Sequence, residues 1–138
     1  MSKIINTLIN KKCNLPIWFM RQAGRHLPEF RKIRNNNKDF IKLCLNSKLS
    51  AKITVQPLIR YDIDAAIIFS DILMLPYGLN QKVQFKKDFG PLLGEIDLNE
   101  ISKVDEVDFV QRILPVYKAI NIVRNHQFTK NKSTIGFV

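Results

Sequence analysis

Three short apolar runs interrupt an otherwise mixed chain, and polar or turn-forming residues border each of them. They occupy residues 16–20, 64–70 and 133–138. The second run, DAAIIFS, is apolar without alternation, which is typical of a strand covered on both faces of a parallel sheet. The pattern therefore predicts three buried strands, and it places Trp18 and Phe19 of the first strand in the core.

Helical spacing fills the first interval, between residues 20 and 64. We predict a loop over residues 21–28, where Gly24 and Pro28 occur, and one or two helical turns over residues 29–34. Ser47 is the predicted cap of a later helix, which Pro57 should bend or divide. Two further short helices are predicted, around residues 4–9 and around Phe40, Ile41, Leu43 and Cys44.

In the second interval, between the second and third apolar runs, the sequence signals for secondary structure are weaker. Residues 71–80 contain Pro76 and Gly78 and are predicted to form a loop, and residues 81–90 a short strand or hairpin. A short helix is predicted over residues 103–110, with the next one beginning at Pro115.

The alternation of strands and helices predicts an α/β fold, in which helices cover a parallel sheet. A parallel sheet is normally buried on both faces, and three strands are too few for that. We therefore expect residues 1–138 to form a single N-terminal segment of a larger domain.

Composition narrows the class of protein. The chain has 46% hydrophobic and 25% charged residues, no apolar run of about 18 residues, and no convincing signal peptide. Its two cysteines, Cys13 and Cys44, have no metal-type spacing, so a reduced, cytoplasmic protein is expected. The net charge of +10 suits a nucleic acid, an acidic membrane surface or an anionic substrate, but scattered surface lysines also explain it.

Charged side chains follow two of the predicted strands. Arg21 and Arg25, with Gly24 between them, come after the first strand, and Asp71 comes after the second. Ligands of β/α folds bind beyond the carboxyl ends of the strands, and arginine offers paired donors to carboxylates and phosphates. The spacing therefore predicts an anion-binding mouth that contains one carboxylate.

Structural roles explain the same residues. Arg21 and Arg25 would then pair with acidic groups at a strand end, and Asp71 would cap the following turn. Arg31 and Lys32 are expected on a solvated helix face. No metal site is expected, and no phosphate-loop or dinucleotide fingerprint is present.

Two long segments carry a family resemblance. PIWFMRQAGRHLPEFRKIR and QPLIRYDIDAAIIFSDILMLPYGL resemble signature regions of the uroporphyrinogen decarboxylase family, in the family's order and at its spacing. The intervening FIKLCLNSKLSAKIT resembles the helices between them, and the terminal IGFV resembles the opening of the third barrel strand.

The resemblance implies the N-terminal part of a (β/α)₈ TIM barrel, with about three of its eight strands. It also implies a carboxy-lyase of haem biosynthesis that works without metal or organic cofactor. That enzyme converts the four acetate side chains of uroporphyrinogen to methyl groups and gives coproporphyrinogen. The resemblance further suggests a homodimer at full length, and no nucleic-acid or membrane partner.

The resemblance also assigns roles to residues. Asp71 matches the aspartate that stabilises the cationic pyrrole, and together with Arg21 and Arg25 it makes the catalytic set. The substrate-binding residues implied are Arg21, Gln22, Ala23, Gly24, Arg25, Arg34 and Asp71.

Later substrate contacts of the family lie beyond the equivalent of Val138, so this chain alone is expected to be inactive. Two other interpretations remain open at this point. One is a fragment of a cobamide-dependent methyltransferase barrel, and the other is a small basic nucleic-acid-binding module.

Overall fold

The computed structural model describes residues 1–10, 15–86 and 89–136. Its helices are α1 (Lys3–Asn10), α2 (Pro28–Asn36), α3 (Phe40–Cys44), α4 (Ser47–Arg60), α5 (Met74–Gly78), α6 (Leu98–Ser102) and α7 (Glu106–Arg124), with a 3₁₀ turn at Gln127–Thr129. Its strands are β1 (Ala65–Ile67), β2 (Val83–Lys86), β3 (Gly90–Leu93) and β4 (Ser133–Ile135). None of these helices is both long enough and apolar enough to cross a membrane.

The parallel pair predicted from the second and third apolar runs is present. β1 pairs with β4 in parallel, with Ala65 opposite Ser133 and Ile67 opposite Ile135. The helices α4 and α7 pack beside this pair, and α7 lies in the connection from β1 to β4, as the crossover helix of a β/α unit does. The observed class is therefore mixed α/β, and the described residues close no barrel. Phe137 and Val138, the end of the third predicted strand, lie outside them.

The predicted strand at residues 16–20 was wrong. Asp64 donates its backbone N–H to the carbonyl of Ile17 at 2.7 Å, which is the start of a ladder. However, the Asp64 carboxylate accepts the N–H of Ile17 at 2.7 Å, and the side-chain amide of Gln22 donates to the carbonyl of Ala65 at 2.8 Å. Side chains thus bond groups that a regular strand would pair through its backbone. Trp18 and Phe19 are 42% and 61% exposed, so their predicted core position was also wrong.

Two prolines lie inside continuous helices. Pro57 does not divide α4, and Pro115 lies in the middle of α7 rather than at the start of a new helix. Tertiary packing overrides the local cost of proline in both helices, since α4 and α7 pack against each other. Asn46, not Ser47, caps α4 by accepting the N–H of Leu49.

The second interval also differs in part from its prediction. The segment expected to be a loop contains α5, whereas the hairpin expected nearby is confirmed by the antiparallel pair of β2 and β3. The separate helix over residues 103–110 was wrong, because α6 ends at Ser102 and α7 begins at Glu106. Asp105 caps α7 by accepting the N–H of Asp108, and this fixes where the helix begins.

The core between α2, α3 and α4 gives a first prediction. Ile53 of α4 is fully buried in a cluster with Leu27, Phe30 and Leu43. Ile53→Ala should lower the free energy of unfolding by about 2–5 kcal/mol, because it removes buried methyl groups and leaves a cavity. The matched control is Ile59→Ala on the same helix, where the side chain is 57% exposed. Urea unfolding of both variants checks this, and equal losses would contradict the assigned core.

An ion pair between α2 and α4 gives a pH prediction. Arg60 donates through Nε and Nη2 to the two Glu29 carboxylate oxygens, at 2.6 and 2.9 Å. These hydrogen bonds lower the pKa of Glu29 from its ordinary 4.5 to about 2. A carboxyl with a lowered folded-state pKa stabilises the fold above its unfolded pKa, and this contribution is lost as the pH falls.

Stability should therefore decline between about pH 4.5 and pH 2 partly through Glu29. Arg60→Gln should flatten this part of the curve of unfolding free energy against pH. Lys52→Gln removes the same charge from an exposed position of α4 and should leave the curve's shape unchanged. A curve for Arg60→Gln that runs parallel to the parent's would rule out this role for the pair.

Candidate functional site

The stretch that follows β1 carries the predicted carboxylate. Sheet pairing ends where Ile68 donates its N–H to the carbonyl of Ile135 at 2.9 Å, and Phe69, Ser70 and Asp71 follow. Asp71 is half-buried, and its Oδ1 accepts the N–H of Leu73 at 2.9 Å. Its backbone carbonyl also accepts the N–H of Met74 at 3.0 Å. Asp71 therefore caps the turn into α5, the structural role considered from the sequence.

Capping occupies only one oxygen of that carboxylate. Within the described residues, Oδ2 of Asp71 accepts no hydrogen bond from the protein. The carboxylate also acts on the thiol of Cys44, whose pKa is raised to about 12 by burial first and by the negative charge of Asp71 second. One oxygen of the Asp71 carboxylate therefore has no hydrogen-bond partner among the described residues.

The loop over residues 21–27 carries the predicted arginines. The side chain of Gln22 is its anchor, because it is buried and joins the carbonyl of Ala65 in β1 to the N–H of Phe19. Ala23 packs against the cluster around Leu27, and the carbonyl of Gly24 accepts the N–H of Leu27 at 3.0 Å. The backbone of this loop is thus fixed on β1 and on the start of α2.

Arg21 and Arg25 are exposed. In the part of the chain that the structure describes, neither guanidinium forms an ion pair or a hydrogen bond with a protein group, including Asp71. Arg31 donates to the backbone carbonyl of Arg25 at 3.0 Å, which holds the loop rather than the Arg25 side chain. The pairing expected from the structural interpretation of Arg21 and Arg25 is therefore not seen among these residues.

Arg34 has a different environment. It is half-buried, and its Nη1 donates to the carbonyls of Asn37 and Lys38, the latter at 2.6 Å. Its guanidinium lies 5.7 Å from the centre of the Phe40 ring. It also acts electrostatically on Cys44, where it opposes the effect of Asp71. Unlike Arg21 and Arg25, Arg34 therefore has protein groups that already bind its guanidinium.

The predicted site residues differ in exposure, since Arg21 and Arg25 are exposed and Asp71 is half-buried. Two surface cavities of about 330 and 430 Å³ lie elsewhere, and neither is lined by Arg21, Arg25 or Asp71. The sequence prediction also missed the polar groups that support the site, namely Gln22 as an anchor and Ser50 and Thr54 of α4. The i, i+4 spacing of those two hydroxyls within a buried helix was the available signal.

Comparison with known proteins places this geometry in a family. The family model described as uroporphyrinogen decarboxylase matches residues 3–138. Proteins named uroporphyrinogen decarboxylase from Rickettsia canadensis and Rickettsia felis are each 42% identical over 137 residues, or 99% of this chain. The match covers 40% and 39% of those two relatives.

A relative from another genus gives the same result. The uroporphyrinogen decarboxylase of Chelativorans sp. is 42% identical over 122 residues, which are 88% of this chain and 35% of the relative. The chain thus spans about two fifths, or less, of the length of the curated relatives that it matches. Since the family model extends over nearly the whole chain, the chain belongs to the uroporphyrinogen decarboxylase family.

Proposed function

We propose that this chain forms the N-terminal part of the substrate site of a uroporphyrinogen decarboxylase. That enzyme would convert the four acetate side chains of uroporphyrinogen to methyl groups and give coproporphyrinogen. The observation that carries the proposal is that Arg21 and Arg25 have no protein partner among the described residues, on a loop anchored to the strand that leads to Asp71. Two available guanidiniums and one carboxylate suit a tetrapyrrole with many carboxylates.

The arginines would bind and orient the carboxylates. A guanidinium donates two parallel hydrogen bonds to a carboxylate, so Arg21 and Arg25 can each hold one acid group. In the same loop, the main-chain atoms of Gln22, Ala23 and Gly24 would face the substrate. Arg34 would contribute only by exchanging its bonds to Asn37 and Lys38, so its predicted contact is the least supported.

Asp71 would stabilise the charge that develops during the reaction. A proton added to the ring carbon next to the one that bears the acetate leaves a cation delocalised over the pyrrole nitrogen and the acetate-bearing carbon. The bond between the acetate methylene and its carboxylate then breaks, CO₂ leaves, and the electron pair neutralises the ring. Protonation of the remaining methylene gives the methyl group, and loss of the proton first added to the ring carbon restores the pyrrole. Asp71 Oδ2 would accept the pyrrole N–H and favour the cation, most strongly where water is excluded.

Three further assignments are proposals of the same kind. The relatives are named uroporphyrinogen decarboxylases, which favours decarboxylation over methyl transfer to a cobamide. A reducing, cytoplasmic location is supported by the free, buried thiol of Cys44. A homodimer at full length rests on the family resemblance alone.

A fusion protein tests the proposal. The chain would replace the 137-residue segment that it matches in the Rickettsia canadensis relative, and porphyrins would be separated after oxidation. The fusion should convert uroporphyrinogen to coproporphyrinogen, whereas the 138-residue chain alone should show no measurable turnover because Arg21 and Arg25 of its site are exposed to water. A fusion that unfolds cooperatively but does not decarboxylate, beside an active relative, would contradict the proposal.

A further inference from the structure

Two hydroxyl groups of α4 hold the backbone of Phe69, which lies two residues before Asp71. Ser50 donates its hydroxyl to the Phe69 carbonyl at 2.6 Å, and the Phe69 N–H donates to Thr54 Oγ1 at 2.8 Å. Ser50 is fully buried and Thr54 is 1% exposed. One helix therefore satisfies both backbone groups of this residue.

The direction of these bonds is fixed by a third one. Thr54 donates its own hydroxyl hydrogen to the carbonyl of Ser50 at 2.9 Å, one helical turn earlier. Because that hydrogen is used, Oγ1 presents a lone pair to the Phe69 N–H. A methyl group in its place would accept nothing and would leave the partly buried N–H without this partner.

The location of Phe69 gives these bonds their significance. The backbone pairing of β1 with β4 ends at Ile68, so Phe69 is the first residue beyond that pairing on the way to Asp71. Directly after the sheet pairing ends, the hydroxyls of Ser50 and Thr54 bond the backbone instead of a neighbouring strand. They fix the direction in which the chain leaves the strand, and therefore where Asp71 is placed.

The Phe69 side chain also contacts neighbouring helices. Its ring meets Phe30 of α2 and Phe40 of α3 edge to face, with ring centres 5.8 and 5.9 Å apart. Since α2 follows directly from the arginine loop, Phe69 joins the segment that carries Asp71 to the one that carries Arg21 and Arg25. A shift at Phe69 would change the spacing between the carboxylate and the guanidiniums.

We propose that Ser50 and Thr54 are positioning residues for Asp71, acting through the backbone of Phe69. They touch neither substrate nor reacting atoms. The proposal rests on the proposed function for its link to catalysis, but its geometric part concerns this chain alone. The competing explanation is that both hydroxyls only satisfy buried backbone groups and so contribute to stability without setting the carboxylate's place.

Nuclear magnetic resonance of the 138-residue chain separates these explanations. The N–H of Leu73 binds Oδ1 of Asp71 and so reports where that carboxylate lies. Thr54→Val should shift the Leu73 amide signal and increase its exchange with solvent by about tenfold or more, which corresponds to roughly 1.4 kcal/mol. Thr54→Ser keeps the hydroxyl and should restore the parent signal.

Thr129→Val is the matched control. Thr129 is also buried, and its hydroxyl also donates to backbone carbonyls, those of Val123 and His126. Thr129→Val should lower the free energy of unfolding without shifting the Leu73 amide signal. An unmoved signal in folded Thr54→Val, or an equal shift in Thr129→Val, would overturn the proposal. If Thr54→Val does not fold, amide exchange in the parent chain provides the test. A Phe69 amide that exchanges with solvent as fast as an exposed loop amide would overturn the proposal.

The fusion protein then tests the link to catalysis. Thr54→Val should reduce kcat by about 10- to 100-fold, since small displacements of a catalytic group have effects of that size, and it should leave KM nearly unchanged. Thr54→Ser should recover most of the lost kcat. If Thr54→Val shifts the Leu73 signal but the fusion without this change is inactive, the positioning role stands and only the proposed function is contradicted. A shifted signal with unchanged kcat in an active fusion would overturn the positioning role.

Discussion

Asp71→Asn should reduce kcat of the fusion protein by about 10²- to 10³-fold, the range found when a preorganised electrostatic group is removed from an active site. Asparagine keeps an Oδ1 that can accept the N–H of Leu73, so the turn into α5 should survive the change. What is lost is the negative charge that would face the cationic pyrrole. Steady-state kinetics, with kcat and KM determined separately, measure the effect.

Asp62→Asn provides the control for this change. Asp62 lies just before β1, its side chain is fully exposed, and it pairs only loosely with Lys132, at 3.6 Å. The same loss of charge at this position should leave kcat within about twofold, because exposed pairs contribute little. A folded Asp71→Asn fusion that retains more than a tenth of the parent kcat would remove Asp71 from the proposed mechanism.

The elements that sequence predicted well are those whose signals are local. The helical turns predicted over residues 29–34 are present as part of α2, and the helix predicted around Phe40 and Cys44 is present as α3. DAAIIFS had no alternation, and β1 is indeed a strand of a parallel pair. In each of these, the residues that decide the structure lie within a few positions of one another, so pattern alone is sufficient.

The failures share a different cause. The apolar run at residues 16–20 has strand-like composition, but the groups that interrupt its pairing are the carboxylate of Asp64 and the amide of Gln22. Likewise, Pro115 is a helix-breaking signal that the packing of α7 on α4 overrides. Such outcomes depend on contacts between residues far apart in sequence, or on which of several possible hydrogen-bond partners a group takes. The periodicity of apolar residues shows neither.

The candidate site shows the same division. The rule that ligands bind beyond the carboxyl ends of strands, together with the family resemblance, was enough to propose Asp71, Arg21 and Arg25. It could not reveal that Gln22 is buried as an anchor or that Thr54 accepts the N–H of Phe69. Residue identity in the sequence is enough to suggest chemically active groups. The groups that position them are identified only from the hydrogen bonds in the structure.

The arginine loop should show the second large effect. In the fusion protein, the double variant Arg21→Gln and Arg25→Gln should raise KM for uroporphyrinogen by about 100-fold or more. Each charge-assisted hydrogen bond contributes roughly 1.5–3 kcal/mol, and about 1.4 kcal/mol corresponds to a factor of ten. The lower end of that range applies because both side chains are exposed in this chain. The stability of the variant should be close to the parent's, since neither guanidinium has a partner among the described residues.

A second double variant separates specific binding from general attraction. The protein has a net charge of +10, so any loss of two positive charges weakens its attraction for a polyanion. Arg124→Gln with Lys130→Gln removes the same two charges from exposed positions at the far end of α7 and the turn after it. Its KM should rise only a few-fold, and that rise should vanish at high salt because surface fields are screened. If both double variants raise KM equally, the loop acts only through its charge; if they differ by a factor of ten or more at high salt, Arg21 and Arg25 hold the substrate's carboxylates directly.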